Sequence, residues 1–206
     1  MTTHLYRGDL PAGLALGPVV AMDTETLGLT LQRDRLCVVQ LSSGDGHAHL
    51  VQIGKPGPDG MLSAPNLVKL LTNPGVTKLL HFARFDLAIM QRSFGVITTP
   101  VYCTKIASRL VRTYTDRHGL KDLVKELLGI ELSKQQQSSD WGATELSPEQ
   151  LAYAAADVLH LHALKARLDE MLAREGRTEL AAACFAFLPV RAALDLRGWP
   201  DDIFAH

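Results

Sequence analysis

The run Val19-Val20-Ala21-Met22 is unbroken by polar residues and ends at Asp23, the pattern of a buried strand. Leu36 to Leu41 and His49 to Ile53 share this β-prone character, and Ser43-Gly44-Asp45-Gly46 between them is a turn signal. Three strands joined by short connections are therefore expected to open the fold. Gly and Pro at positions 56, 57, 58, 60 and 65 mark Lys55 to Pro65 as a surface loop, and Asn66 is then expected to cap a short apolar helix through Leu71. After Pro74-Gly75, Val76 to Leu80 has the composition of a further buried strand.

Helical spacing then takes over. Phe85, Ile89 and Met90 share one face of a segment from Arg84 to Phe94, which Gly95 stops. Thr104 to Val111 is expected to be helical, as are Leu120 to Leu128, ended by Gly129, and a long stretch from Ser147 to about Arg174. Ser147-Pro148-Glu149-Gln150 opens that stretch with an N-cap serine, proline at the first helical position and glutamine three residues on. A strand-rich first half followed by helices predicts an α/β or α+β domain with a mixed sheet. No internal repeat is visible, and Gln135-Gln136-Gln137-Ser138-Ser139 has the composition of a loop.

Composition narrows the class. The chain has 206 residues, 47% of them apolar, which suits one substantial core and a single domain better than two. The N-terminus lacks a basic-then-apolar signal pattern, and apolar stretches such as Leu14 to Met22 fall short of the ~20 residues that span a bilayer. A cytoplasmic protein without membrane partners is expected. Cys37, Cys103 and Cys184 lie far apart with no C-x-x-C pair, which excludes a zinc ribbon or a disulfide framework and predicts buried thiols. No phosphate-binding P-loop, dinucleotide fingerprint or serine-hydrolase elbow is present. The net charge of −1 carries no nucleic-acid signature, but carboxylates gathered around metal ions lower the formal charge while the bound ions reverse its local sign.

The acidic residues carry the candidate chemistry. Asp23 and Glu25 leave one strand on the same face, because strand side chains alternate with period two. Tyr153 and Asp157 are four apart in a predicted helix and share a face one turn apart. Asp86 lies near a helix start, where a carboxylate also suits the helix dipole. Each alone has a bland explanation: a turn or cap for Asp23 and Glu25, dipole compensation for Asp86, a core aromatic and a solvated charge for Tyr153 and Asp157.

Their order and local context together resemble the DEDD exonuclease superfamily. Val20-Ala21-Met22-Asp23-Thr24-Glu25-Thr26 is similar to its first motif, His81-Phe82-Ala83-Arg84-Phe85-Asp86 to its second and Tyr153-Ala154-Ala155-Ala156-Asp157 to its third. Tyrosine four before the last aspartate resembles the tyrosine subclass; the histidine subclass would have His where Ala152 stands. His118-Gly119-Leu120-Lys121-Asp122-Leu123, Leu128-Gly129-Ile130 and Lys134 to Trp141 look like the ribonuclease D branch, and the likeness runs from about residue 18 to 170. Phe82 departs from the pattern, since the family commonly has Asn after the His. The larger ribonuclease D proteins continue into helical nucleic-acid-binding domains. The roughly thirty residues after Arg174 are fewer than the usual minimum of about 50, so a helical remainder without such a domain is expected.

The resemblance implies a ribonuclease H-like mixed sheet flanked by helices and a 3′-to-5′ exonuclease that uses two divalent cations, Mg²⁺ or Mn²⁺. Asp23, Glu25 and Asp157 would hold the first cation, and Asp23 would bridge to a second that Asp86 supports partly through water. All-oxygen ligands favour these ions over zinc. Uncompensated, two like charges about 4 Å apart repel by roughly 4 kcal/mol at an effective dielectric of 20. Tyr153, with a reference pKa near 10, would orient the attacking water and accept its proton only with the metal's help. Thr26, Leu27 and His81 would contact the terminal nucleotide, Leu27 by packing on its base, with simple core packing as its alternative. The implied partner is the 3′ end of a single strand, RNA favoured over DNA, and the implied products are nucleoside 5′-monophosphates. A DNA repair or proofreading exonuclease, or a catalytically silent nucleic-acid-binding scaffold of the same fold, are the competing readings.

Outside the motifs, Lys105, Arg109 and Arg112 recur at i, i+4 and i+7, followed by Arg117, Lys121, Lys125 and Lys134. This stretch could track a nucleic-acid backbone or be a solvated helix face. His47 and His49 lack a matching ligand cluster, and Trp141 and Trp199 are expected to pack rather than stack on bases.

Overall fold

The computed structural model describes residues 2–133, 136, 138–199, 201, 203 and 204. Its strands are β1 (Thr2–Arg7), β2 (Val19–Thr26), β3 (Leu36–Ser42), β4 (His47–Gln52), β5 (Thr77–Leu80) and β6 (Val101–Cys103). The helices are α1 (Pro65–Leu71), α2 (Ala83–Phe94), α3 (Thr104–Val111), α4 (Leu120–Leu128), α5 (Pro148–Leu159), α6 (Leu161–Arg174) and α7 (Thr178–Leu196). The strands form one mixed sheet in the order β1-β4-β3-β2-β5-β6. β2, β3 and β4 are an antiparallel meander, while β5 runs parallel to β2, β6 parallel to β5, and β1 parallel to β4.

The expected three-strand opening is present, but β1 precedes it and β6 follows β5, and neither was foreseen. Both lie at the sheet edges, β6 with only three residues and β1 with none of its six buried, so neither carries the continuous apolar run of a central strand. By contrast Val20 to Met22, Leu36 to Leu41 and Leu79 to Leu80 are fully or almost fully buried.

Two helix expectations need correction. Asn66 is not the cap of α1. The helix begins at Pro65, and Asp9, far back in the chain, accepts hydrogen bonds from the amides of Asn66 (2.8 Å) and Leu67 (2.9 Å). The stretch from Ser147 to Arg174 is two helices, broken at His160, whose φ of −102° and ψ of −5° let the chain turn. The reason is packing. α5 lies across β2, β3 and β4, whereas α6 packs on α3 and α4, and the His162 ring bonds the Val19 carbonyl at 3.0 Å. The capping box at Ser147 and Gln150 is formed as expected.

Cys37 and Cys103 are buried thiols, but Cys184, on α7, is only half-buried. Residues 54–60 form the expected exposed loop. Among the described residues no helix is long and apolar enough to cross a membrane.

Candidate active site

Strand register explains why the acidic residues meet. β2 and β5 are parallel neighbours with Ala21 opposite Leu79, so Asp23 leaves one strand and His81 the other at the same end of the sheet. Asp23 and Glu25 sit opposite Gln40 and Val38 of β3, and the register shifts between Glu25 and Thr26, where the chain bends away. Asp86 occupies the first turn of α2. Tyr153 and Asp157 come from α5, which crosses the sheet over β2.

Carboxylate oxygens of Asp23, Glu25 and Asp157 lie within 4.8 Å of one another. Asp86 stands beside this trio and is buried. Thr24, on the opposite face of the strand from its two acidic neighbours, donates its hydroxyl to Asp86 at 2.6 Å. The Tyr153 hydroxyl lies beside the Asp157 carboxyl, and its ring lies 6.1 Å from that of Trp141, which is buried as expected of a packing residue.

The electrostatics are those of anions crowded together. Burial, followed by repulsion from Asp86, Asp157 and Glu25, holds the Asp23 carboxyl well above the usual carboxylate range. Burial and then Asp157 and Asp86 push Glu25 up to about 9. Burial also raises Asp86, against the opposing bond from Thr24, and Asp157, against the opposing bond from Tyr153. Tyr153 is raised by burial and by the neighbouring carboxylates, which keeps its phenol protonated. Among the described residues, no lysine or arginine is one of the groups that set these four carboxyls. A hard, divalent cation with oxygen ligands fits this donor set, because it supplies the charge the protein withholds.

All five residues line one cavity of about 440 Å³, together with Thr24, Thr26, His81, Leu29, Phe82, Phe85 and Leu120. Thr26 is buried and its hydroxyl donates to the Gly28 carbonyl, which stabilises the bend after β2. His81 bonds Thr104 Oγ1 through Nδ1 at 2.9 Å, and burial pushes its pKa down to about 3, so the ring is neutral. Leu27 is 52% exposed, which removes core packing as its explanation, yet it does not line the cavity; Leu29 does. Lys134 lies outside the described residues.

Leu29, Phe82, Phe85 and Leu120 were not anticipated as cavity residues. Phe82 carried one signal, its departure from the second motif. It also has φ 62°, the left-handed region that costs a bulky residue about 1–3 kcal/mol.

The predicted basic stripe is only partly a surface. Arg112 is fully buried, paired with Glu126 and donating to Ser108 Oγ and the Arg117 carbonyl. Lys125 pairs with Glu131, leaving Lys105 and Arg109 to line a second cavity that shares Phe82 with the first. His47 and His49 stack with His4 and Tyr6 on β1, and among the described residues the carboxylate trio is the one group with metal-ligand spacing.

A carboxylate cluster at the carboxyl end of parallel strands, under a crossing helix that brings tyrosine and aspartate, defines a class of phosphodiester-cleaving enzymes. The model of the 3′-5′ exonuclease family matches residues 9–173, and the chain belongs to that family. The fold is accordingly the ribonuclease H-like mixed sheet. Ribonuclease D of Acidiphilium cryptum is 38% identical over 169 residues, 82% of this chain but 42% of that protein, so the chain spans less than half of this curated relative. NrnC of Brucella melitensis, solved with bound Mg²⁺, is 56% identical with a TM-score of 0.93, each chain covered over 100% of its length. The same Brucella protein bound to pGG is 57% identical with a TM-score of 0.94, covering 100% of this chain and 99% of that one.

Proposed function

We propose that this chain is a 3′-to-5′ exoribonuclease acting on the 3′ ends of single strands, with Asp23, Glu25, Asp86, Tyr153 and Asp157 as its catalytic residues. The observation that supports it is the closure of three carboxylates within 4.8 Å, with Asp86 beside them and, among the described residues, no cationic side chain that sets their charge. Asp23, Glu25 and Asp157 would hold one divalent cation and Asp86 would join Asp23 at a second, Mg²⁺ or Mn²⁺ in each case. When bound, such a pair supplies a nucleophile at neutral pH and charge stabilisation at the leaving 3′ oxygen.

The remaining work falls to the chain's own groups. Thr24 fixes the Asp86 carboxylate by a hydrogen bond, so this ligand is oriented before a cation arrives. A phenol held protonated does not take up a proton as a base, but its oxygen still accepts a hydrogen bond, which suits Tyr153 to orienting the attacking water and not to acting as the base. His81 stays neutral beside the anionic cluster and, with Thr26, faces the terminal nucleotide. The Brucella neighbour that carries pGG supports a nucleic-acid ligand at this cavity, and the ribonuclease D relative supports RNA over DNA.

The test compares RNA and DNA single strands labelled at the 3′ or the 5′ end, with Mg²⁺, with Mn²⁺ and with chelator. Stepwise shortening of 5′-labelled RNA, early release of label from 3′-labelled RNA, and loss of both in Asp23→Asn and Asp157→Asn are expected. Equal rates for wild type and Asp157→Asn would remove the catalytic assignment.

A further inference from the structure

Phe82 is the one non-glycine residue of positive φ among the described residues, and the turn that imposes this is fixed from outside. Thr104, the first residue of α3, bonds His81 Nδ1 at 2.9 Å and donates its hydroxyl to the Leu80 carbonyl at 3.3 Å, which ties the opening of α3 to the end of β5 where the turn begins. The turn delivers His81 to the cavity on one side and Asp86 on the other, so the backbone conformation has a use. A large aromatic side chain there does not follow from it. Glycine or asparagine would adopt the same backbone at lower cost.

Nor does core packing account for the ring. It is 47% exposed and lies outside the core. It stands where three cavities meet: the carboxylate cavity, a neighbour lined by Leu31, Arg84 and Phe85, and the basic cavity containing Lys105 and Arg109. The Lys105 ammonium lies 4.0 Å from the ring centroid, so a cation is stationed over one face of a half-exposed ring beside the carboxylates. An exposed aromatic ring next to a cation is how a single strand is gripped without reading its sequence: the base stacks on the ring while its phosphate meets the charge.

We propose that Phe82 is a stacking platform for a nucleobase adjacent to the scissile phosphate, with Lys105 placed to receive the backbone of the same nucleotide. This rests on the exonuclease reading of the carboxylate cavity and adds a positioning residue to it. The ring does not touch the reacting atoms; it sets where the strand lies over them.

Three variants of the full chain test it, with KM and kcat measured on a single-stranded RNA oligonucleotide in Mg²⁺. Phe82→Gly keeps the left-handed backbone and removes the ring, and should raise KM about 10-fold with kcat within about twofold, the size of effect given by one stacked base. Its melting temperature should equal or exceed that of the wild type, which separates lost stacking from lost folding. Phe82→Trp should restore KM, whereas Phe82→Leu, apolar but not aromatic, should not. Oligonucleotides lacking the base at the last or the penultimate position identify the partner. One of the two should bind wild type and Phe82→Gly equally.

An unchanged KM in Phe82→Gly, or an equal loss on intact and both abasic strands, overturns the platform. If wild type trims RNA, Asp157→Asn does not, and Phe82→Gly is silent, the platform alone fails. If trimming survives Asp157→Asn, the exonuclease reading fails and takes the platform with it.

Discussion

The Thr24 hydroxyl donates to the Asp86 carboxylate at 2.6 Å, so the residue between two acidic neighbours on β2 is tied to the third, on α2. The bond opposes the effect of burial on Asp86 and holds its pKa lower than burial alone would set it. Thr24→Val keeps the branched shape and deletes the donor. Because a hydrogen bond to a charged group contributes about 1.5–3 kcal/mol, the Asp86 carboxyl should ionise at higher pH and the acidic limb of the activity profile should move upward. More Mg²⁺ should also be needed at neutral pH. Rate against pH at several Mg²⁺ concentrations checks this, and an unmoved acidic limb would show that Thr24 only packs.

Metal-free protein should lose stability as pH rises. Glu25 is pushed up to about 9, and Asp86 and Asp157 to about 7, all above the ordinary carboxylate range of about 4. Between those limits the native state binds more protons than the unfolded chain, so unfolding free energy falls with increasing pH. In chelator the melting temperature should therefore decline from about pH 5 to about pH 9. Added Mg²⁺ should raise it most at the alkaline end, where the ligands are ionised. Asp157→Asn should flatten both responses. A melting temperature in chelator that rises through this range would contradict the crowding described for the site.

What was legible in the sequence was what local periodicity encodes. Asp23 and Glu25 share a face because strands alternate, and α4 ends where Gly129 adopts φ 70°. Tyr153 and Asp157 share a face because helices repeat every 3.6 residues. What was not legible depends on partners distant along the chain. β1 becomes a strand only by lying beside β4, and α5 ends at Leu159 only because the next helix packs on α3 and α4 instead of the sheet. No glycine or proline marks that break. Leu29 rather than Leu27 lines the cavity, and both lie beyond the end of β2 at Thr26, where strand alternation no longer sets the facing.

The cap of α1 is the clearest non-local case. Asp9 accepts from the amides of Asn66, Leu67 and its own neighbour Leu10, fastening the segment after β1 to a seven-residue helix. Asp9→Ala should cost about 0.5–2 kcal/mol, in the range of N-cap deletions, whereas Asn66→Ala should cost less, since it leaves both capped amides in place. Urea unfolding of the two variants checks this. The reverse order would return the cap to Asn66.

Arg112 separates a charge that is near nucleic acid in sequence from one that can reach it. Lys105, Arg109 and Arg112 follow helical spacing, but Lys105 and Arg109 open onto the cavity that shares Phe82, while Arg112 is fully buried and held by Glu126, Ser108 and the Arg117 carbonyl. A phosphate contact releases counterions, and each one on a single strand contributes about 0.7 to the slope of log K against log salt. In the Asp157→Asn background, which should keep RNA intact, Lys105→Gln and Arg109→Gln should each reduce that slope by about this amount. Arg112→Met should leave the slope unchanged and act on the melting temperature instead, since its guanidinium serves the fold. Fluorescence anisotropy over a range of KCl concentrations reads all three. A slope that falls for Arg112→Met and not for Lys105→Gln would place the strand on the other side of α3, away from Phe82.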